Sequence, residues 1–265
     1  MNYKKKFKKY FPQFIQEELY FWRSYDKKSL RKLKKSHHGE RCFIIGNGPS
    51  LNKCDLSKLK NEVTFGVNSI YLKAKEGFVP TYFVVEDHHV ARDNSNEIVN
   101  LKATLKFIPR NYKHLIKRTA NMLFYNMNTG YYQEHGSNYC IPRFSGDASR
   151  RMYCGQSVTM MCLQLAFHMG FTEVYLIGMD FSYVIPKDAT IEEGGVILSN
   201  SDDPNHFDSS YFGAGKRWHD PHLDRVERSY ILSKLAYEAH GRSIYNATVG
   251  GKLEVLPRVD YNSLF

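Results

Sequence analysis

Short apolar runs, each closed by glycine or a cluster of small polar residues, organise most of the chain. The first is Cys42-Phe43-Ile44-Ile45, following Glu40-Arg41 and stopping at Gly46-Asn47-Gly48-Pro49-Ser50-Leu51. A continuous apolar tetrapeptide bounded by turn residues reads as a strand buried on both faces. A short helical stretch is predicted at Leu56 to Leu59, then a second strand at Val63-Thr64-Phe65-Gly66-Val67-Asn68. A third is predicted at Tyr82-Phe83-Val84-Val85, ending in Glu86-Asp87-His88-His89. After a polar middle region, Ser157 to Met169 predicts an apolar helix with Gly170 as its stop, and Glu173 to Asp180 a further strand. Residues 185–217 are rich in Gly, Ser, Asp and Asn, with one brief apolar piece at Val196-Ile197-Leu198. A loop of that length in a compact domain reads as a lid over a site. Beyond it, Leu223 to His240 predicts a helix closed by Gly241, and Ser243-Ile244-Tyr245 a last strand. No internal repeat is visible.

Apolar strands alternating with helices predict an α/β fold with a mostly parallel sheet and helices on both faces. Such sheets bind ligands beyond the carboxyl ends of their strands. The residues placed there are Gly46, Asn47, Gly48, Pro49 and Ser50, then Asn68, Glu86, Asp87, and Asp180 through Tyr183.

Charge adds a second feature. Of a formal net charge of +10, the first 36 residues carry +9, from twelve basic and three acidic side chains. The remaining body is close to neutral, which excludes a nucleic-acid partner spread over the surface. The boundaries expected are therefore a basic arm over 1–36 and a catalytic domain over 37–265. Within the arm, Phe11, Phe14, Ile15, Leu19 and Trp22 recur at helical spacing between lysine runs. Two readings stand: a helix in an anionic membrane interface, or one that docks on the domain. No stretch is long and apolar enough to span a bilayer, and no cleavage site follows an apolar run. The five cysteines are scattered with no C-x-x-C pair, as expected of free thiols in a reducing cytosol.

The glycine turn after the first strand suits a phosphate or nucleotide, since glycines permit close approach and leave amides exposed. It is neither a Walker A motif nor the G-x-G-x-x-G fingerprint. Asn246-Ala247-Thr248 followed by Gly250-Gly251 closes the last strand and offers Asn246 and Thr248 to a nucleobase or phosphate. His219 and His222 flank Asp220, a pair too small to argue strongly for a metal. A histidine is largely neutral near pH 7 and can accept a proton.

The full string Phe43-Ile44-Ile45-Gly46-Asn47-Gly48-Pro49-Ser50-Leu51 resembles the opening motif of the family 42 bacterial sialyltransferases. It also resembles a related family containing archaeal hydroxymethylpterin pyrophosphokinases and the central domain of motility-associated flagellin glycosyltransferases. Gly66-Val67-Asn68, the Gly170 to Phe181 unit, and His219 five residues before Asp224 are similar to later motifs of that group. The likeness covers most of residues 41–265 and not the arm. It implies a Rossmann-like domain and an inverting transfer from a CMP-activated, sialic-acid-like sugar, without a required metal or other cofactor. By that resemblance Asn47 and Ser50 contact the donor's phosphate or ribose, and Asn68 its nucleotide-sugar portion. Tyr183 would hydrogen-bond the leaving phosphate, and His219 would be the general base. The implied partners are a nucleotide-sugar donor, a glycan or lipid-linked acceptor of a bacterial lipopolysaccharide or capsule, and the inner face of the cell membrane. A homo-oligomer is compatible with the sequence.

Two departures qualify the likeness. Glu86-Asp87 stands where the sialyltransferases have asparagines, and carboxylates repel an anionic donor unless a cation intervenes. Gly155-Gln156-Ser157 keeps a hydroxyl at the helix start, Ser157, but lacks the arginine of that position. The alternatives are a magnesium-dependent pyrophosphokinase using ATP on a pterin-like molecule, with Glu86 and Asp87 on the metal, and a non-catalytic nucleotide-binding protein recruited to the membrane.

Overall fold

The structure, a computed structural model, describes Phe21 and residues 23–265. The five residues of the amphipathic stripe expected over Phe11 to Trp22 thus all lie outside the described residues.

The main sheet is built from β1 (Arg41–Ile45), β2 (Val63–Val67), β3 (Tyr82–Val84), β4 (Leu105–Pro109), β5 (Met122–Tyr125), β8 (Glu173–Ile177) and β12 (Ser243–Asn246). Their order is β12-β8-β1-β2-β3-β4-β5, and every pairing is parallel. The predicted α/β class is therefore the observed one. Two of these strands, β4 and β5, come from the middle region that reads as polar. A short pair, β6 (Met127–Asn128) with β7 (Met152–Tyr153), forms a separate two-stranded parallel sheet.

Alternate side chains along each strand enter two cores, as the period-two pleat requires. Cys42, Ile44, Phe65, Val84 and Leu176 pack on one face; Phe43, Ile45, Phe83, Ile108 and Ile177 pack on the other. The first face is covered by α1 (Tyr25–Lys32), α5 (Thr159–Met169) and α6 (Leu223–Glu238). Every residue of α5 is buried, the helix being apolar apart from Thr159, Gln164 and His168, and Gly170 closes it at φ 96°. The second face is covered by 3₁₀ turns at Pro49–Lys53 and Leu56–Leu59 and by the short helices α2 (Tyr71–Ala74), α3 (His88–Asp93) and α4 (Ser95–Asn100).

The described half of the arm is docked. Ser24 caps α1, Leu30 is fully buried, and Asp26 accepts the amide of Phe124 at 3.1 Å and the Arg118 guanidinium at 2.7 Å. Residues 35–37 then follow the end of α5, with Lys35 and His37 amides on the carbonyls of His168 and Met169.

The lid expected over 185–217 folds into a three-stranded antiparallel sheet of β9 (Thr190–Ile191), β10 (Val196–Leu198) and β11 (Arg217–His219). Its long loop lies back on the domain, where Phe207 and Tyr211 are buried. Among the described residues no helix is long and apolar enough to cross a membrane.

Candidate functional site

The strand order reverses between β1 and β8. Chain connections leave β1 towards β5 on one side, and β8 leads to β12 on the other. The carboxyl ends of these two strands therefore splay apart, which is where open α/β sheets hold ligands. A cleft of about 810 Å³ lies there. Its walls come from the Gly46–Gly48 turn, Asn68, the Glu86–His89 segment, the start of α5, the Gly178–Tyr183 segment and the lid.

The glycine turn differs from the phosphate cradle that sequence suggests. Gly46 and Gly48 donate their amides to the carbonyls of Ile177 and Gly178, at 2.8 and 2.9 Å. The Ser50 amide and hydroxyl go to the Asp180 carboxylate, the hydroxyl at 2.6 Å. The turn is thus stitched to the end of β8 and leads into a 3₁₀ turn. Gly48 has to be glycine, because a Cβ there would occupy the Asp180 carboxylate.

What this stitching presents to the cleft is Asn47. Its amide nitrogen donates to the Val67 carbonyl and to the Tyr211 hydroxyl, both at 3.0 Å. Since the carbonyl can only accept, the amide orientation is fixed and Oδ1 carries the unused lone pairs. Asn47 Oδ1, Asn68 Oδ1 and Gln156 Oε1 are all enclosed and, among the described residues, without a hydrogen-bond partner. An unpaired buried polar atom costs about 1–3 kcal/mol, so three on residues of one cleft leave acceptors there for water or a ligand to satisfy. Backbone strain gathers in the same place. Asn68, Gln156, Phe181 and His222 hold positive φ values of 47°, 66°, 52° and 46°, and all four line the cleft. Such conformations cost on the order of 1–3 kcal/mol each and persist where function maintains them.

The end of β3 supplies carboxylates. Tyr132 donates to Glu86 Oε1 at 3.0 Å, and Tyr112 to the Glu86 carbonyl at 2.7 Å. Burial, followed by the charge of Asp87, pushes the Glu86 pKa up to about 7. Asp87 caps α3 through the Val90 amide at 2.9 Å. Burial lowers the His89 pKa; Asp87 opposes this, while Arg92, His219 and His88 add to it.

His219 stands on β11, four residues before α6, with its side chain exposed at the mouth of the cleft. Its ring centre is 5.5 Å from that of His89, so the lid brings it to the end of β3. Tyr183 lies on the cleft wall near Trp218, and burial together with Asp203 and Asp180 pushes its pKa up to about 12. Ser157 opens α5 on the cleft, its hydroxyl accepting the Thr159 amide.

Pro49, Ser50, Asn246 and Thr248 are placed behind the cleft. Asn246 accepts the Thr248 amide and donates to the Leu253 carbonyl, and Thr248 accepts the Met179 amide at 3.1 Å. Their side chains brace the ends of β8 and β12. Among the described residues no group of three or more His, Cys, Asp or Glu side chains is arranged to hold a metal ion.

Several wall residues have no sequence motif to announce them: Tyr132, Gln156, Tyr211, Arg225 and His206, the last held from behind by Asp203. Asp203 accepts His206 Nδ1 at 2.7 Å, the Phe212 amide at 2.9 Å and the Asn205 amide at 2.8 Å. Asn205 and Val184 exchange two hydrogen bonds of 2.8 Å, and the Phe207 amide donates to the Asn47 carbonyl at 2.8 Å. The lid loop is thereby tied both to the Tyr183 segment and to the glycine turn. An Asp and a His three apart in a Pro-Asn turn are the one local signal that could have pointed to it.

Fold and cleft together define a parallel α/β protein with a strained, hydrogen-bond-accepting site at the switch point of its sheet. The family model described as 6-hydroxymethylpterin diphosphokinase MptE-like matches residues 16–186, and the chain belongs to this family. The match spans the glycine turn, Asn68, Glu86-Asp87, Ser157, Asp180 and Tyr183, and stops before the lid strands and His219. No curated protein matches the chain.

Proposed function

We propose that the protein is a transferase that takes its transferred group from a nucleotide-activated donor, and specifically an inverting glycosyltransferase using a CMP-activated sugar. The observation that carries this is the set of unpaired amide oxygens on Asn47, Asn68 and Gln156, at the place in the sheet where nucleotides bind. Ribose and sugar hydroxyls and a base amino group are the donors such a set lacks.

Charge favours a donor with one phosphate. Among the described residues lining the cleft, Arg225 is the one Lys or Arg, against Glu86, Asp87, Glu134, Asp180 and Asp220. A triphosphate would enter that surroundings at a large Coulombic cost. In the proposed reaction His219 accepts the proton of an acceptor hydroxyl while its oxygen attacks the anomeric carbon. The bond from that carbon to the phosphate oxygen breaks, and its electron pair leaves with CMP. Tyr183, still protonated at any working pH, donates a hydrogen bond to the departing phosphate. The likeness of the glycine motif and the His219 segment to the family 42 sialyltransferases supports this reading, and the acidic cleft argues that the sugar need not carry a carboxylate. Lipid-linked or glycan acceptors at the inner face of the membrane would be the partners, with the basic segment before Phe21 as the address.

A second reading is favoured by the family's description and by the adjacent carboxylates Glu86 and Asp87: magnesium-dependent diphosphate transfer from ATP to a pterin-like acceptor. Magnesium is commonly held by one or two carboxylates plus substrate phosphates. Two carboxylates are what the end of β3 offers, although Asp87 already caps α3. Incubation with a panel of CMP-sugars and with ATP, each with and without EDTA, decides between the two. CMP release that ignores EDTA is expected; AMP formation that requires magnesium replaces the glycosyltransferase by the diphosphokinase.

A further inference from the structure

The lid loop holds a buried carboxylate–imidazole pair that the reaction above does not use. Asp203 and the His206 side chain are both largely enclosed, at 3% and 7% side-chain exposure. Burial raises the Asp203 pKa, but the His206 bond and charge and the amides of Asn205 and Phe212 more than reverse this, leaving it below the usual carboxylate range. An ionised carboxylate can only accept, so His206 Nδ1 carries a proton and Nε2 is the free nitrogen. The His206 ring lies flat on Tyr211 at 3.9 Å and 5°, and edge-on to Phe212 and Tyr183. The charged or titratable groups facing it are Asp203, Tyr183 and Tyr211, with Lys216 bound to the Tyr211 carbonyl. Tyr211 in turn holds Asn47, so the ring is fixed relative to the glycine turn as well as to Tyr183. His206 lines the cleft, and among the described residues the ring's hydrogen bond is the one from Nδ1 to Asp203.

We propose that His206, oriented by Asp203, is a second acid–base residue of this cleft, acting on the leaving phosphate while His219 acts on the acceptor. This rests on the group-transfer reading. His206 begins as imidazolium, with Nδ1–H on Asp203 and Nε2–H on the bridging phosphate oxygen. As the carbon–oxygen bond breaks, that oxygen takes the electron pair and the Nε2 proton. The neutral ring keeps its Nδ1–H, and His219 ends with the acceptor's proton. Product release and exchange with water restore both histidines. A carboxylate that stays charged stabilises the imidazolium and holds the ring in one orientation.

The test separates this role from that of a staple for the lid. In His206→Asn the amide nitrogen can stand where Nδ1–H stands, keeping the bond to Asp203 and removing only the basic nitrogen. In His206→Gln the bond to Asp203 is lost. With the donor the enzyme turns over, His206→Asn is expected to keep its melting temperature and KM, lose about 10²–10⁴-fold in kcat, and lose one limb of the pH profile. A staple predicts the reverse order: His206→Asn active and His206→Gln crippled. That result, or a kcat for His206→Asn within a few-fold of the parent, overturns the proposal. Independently of turnover, ¹⁵N-histidine spectra of the full chain are expected to show the His206 Nε2 signal moving when CMP or inorganic phosphate is added. If no nucleotide binds, the group-transfer reading falls; a His206 signal that also ignores phosphate removes this proposal with it, while one that responds sustains the phosphate contact.

Discussion

Glu86 is caught between two environments. Its backbone carbonyl is anchored by Tyr112 and its carboxyl by Tyr132, inside a wall that disfavours charge, while Asp87 sits next to it. The folded pKa of about 7 lies above the ordinary value of 4.5, so the folded protein holds a proton that the unfolded chain releases. The contribution of Glu86 to stability is therefore greatest below pH 4.5, falls as pH rises towards 7, and is level above that. The loss is at most about 3 kcal/mol, and less in practice because the carboxyl keeps a face on the cleft. Glu86→Gln is expected to remove this slope: denaturant midpoints at pH 4.5 and 7.5 should converge in the variant and differ in the parent. Equal slopes in both proteins contradict the assignment. At this scale the sequence shows the motif residues but not their roles. Ser50 and Asp180 both read as ligand contacts, yet they spend their polar atoms on each other. Gln156 lies in a run that reads as a departure from a motif, and only its φ of 66° and unpaired oxygen mark it as a wall of the site.

Elements divide by how locally they are determined. The strand at Cys42–Ile45, the α5 helix with its Gly170 stop, and α6 are legible because continuous apolar runs and terminal glycines specify them without outside help. The β4 strand is hidden by Lys106, a charged residue in the middle of a buried strand. Its ammonium caps the end of α4 through the carbonyls of Ile98 and Val99 at 2.9 and 2.7 Å, and burial pushes its pKa down to about 8. No local rule anticipates a lysine satisfied by a helix end in another element. The lid likewise reads as a loop because its strands are two or three residues long and exist only by pairing with one another. The arm separates at this scale too. The segment from Ser24 onwards is fastened by Asp26 and Leu30, so it belongs to the fold. Removing residues 1–20 is expected to leave the melting temperature unchanged and to abolish stable sedimentation with anionic vesicles at about 0.15 M salt, since all of the apolar stripe but Trp22 would be gone. Sedimentation that survives the deletion contradicts the membrane role, and a lowered melting temperature favours docking.

For the whole molecule, the parallel seven-stranded sheet sets where chemistry can occur. Its reversal between β1 and β8 opens a cleft, and the chain gathers there four non-glycine residues of positive φ, three unpaired amide oxygens, five acidic residues, and His206 and His219 from the lid. The near-neutral body relies on hydrogen bonding at strand ends, while the excess positive charge sits in the first 36 residues. The central claim is that a nucleotide binds across the ends of β1 and β8. A crystal structure of the full chain with saturating CMP tests it most directly. The account predicts CMP in the 810 Å³ cleft, with donor groups of the ligand on the amide oxygens of Asn47, Asn68 and Gln156. An empty cleft, or CMP in the smaller hollow between Leu51 and Phe78, contradicts it.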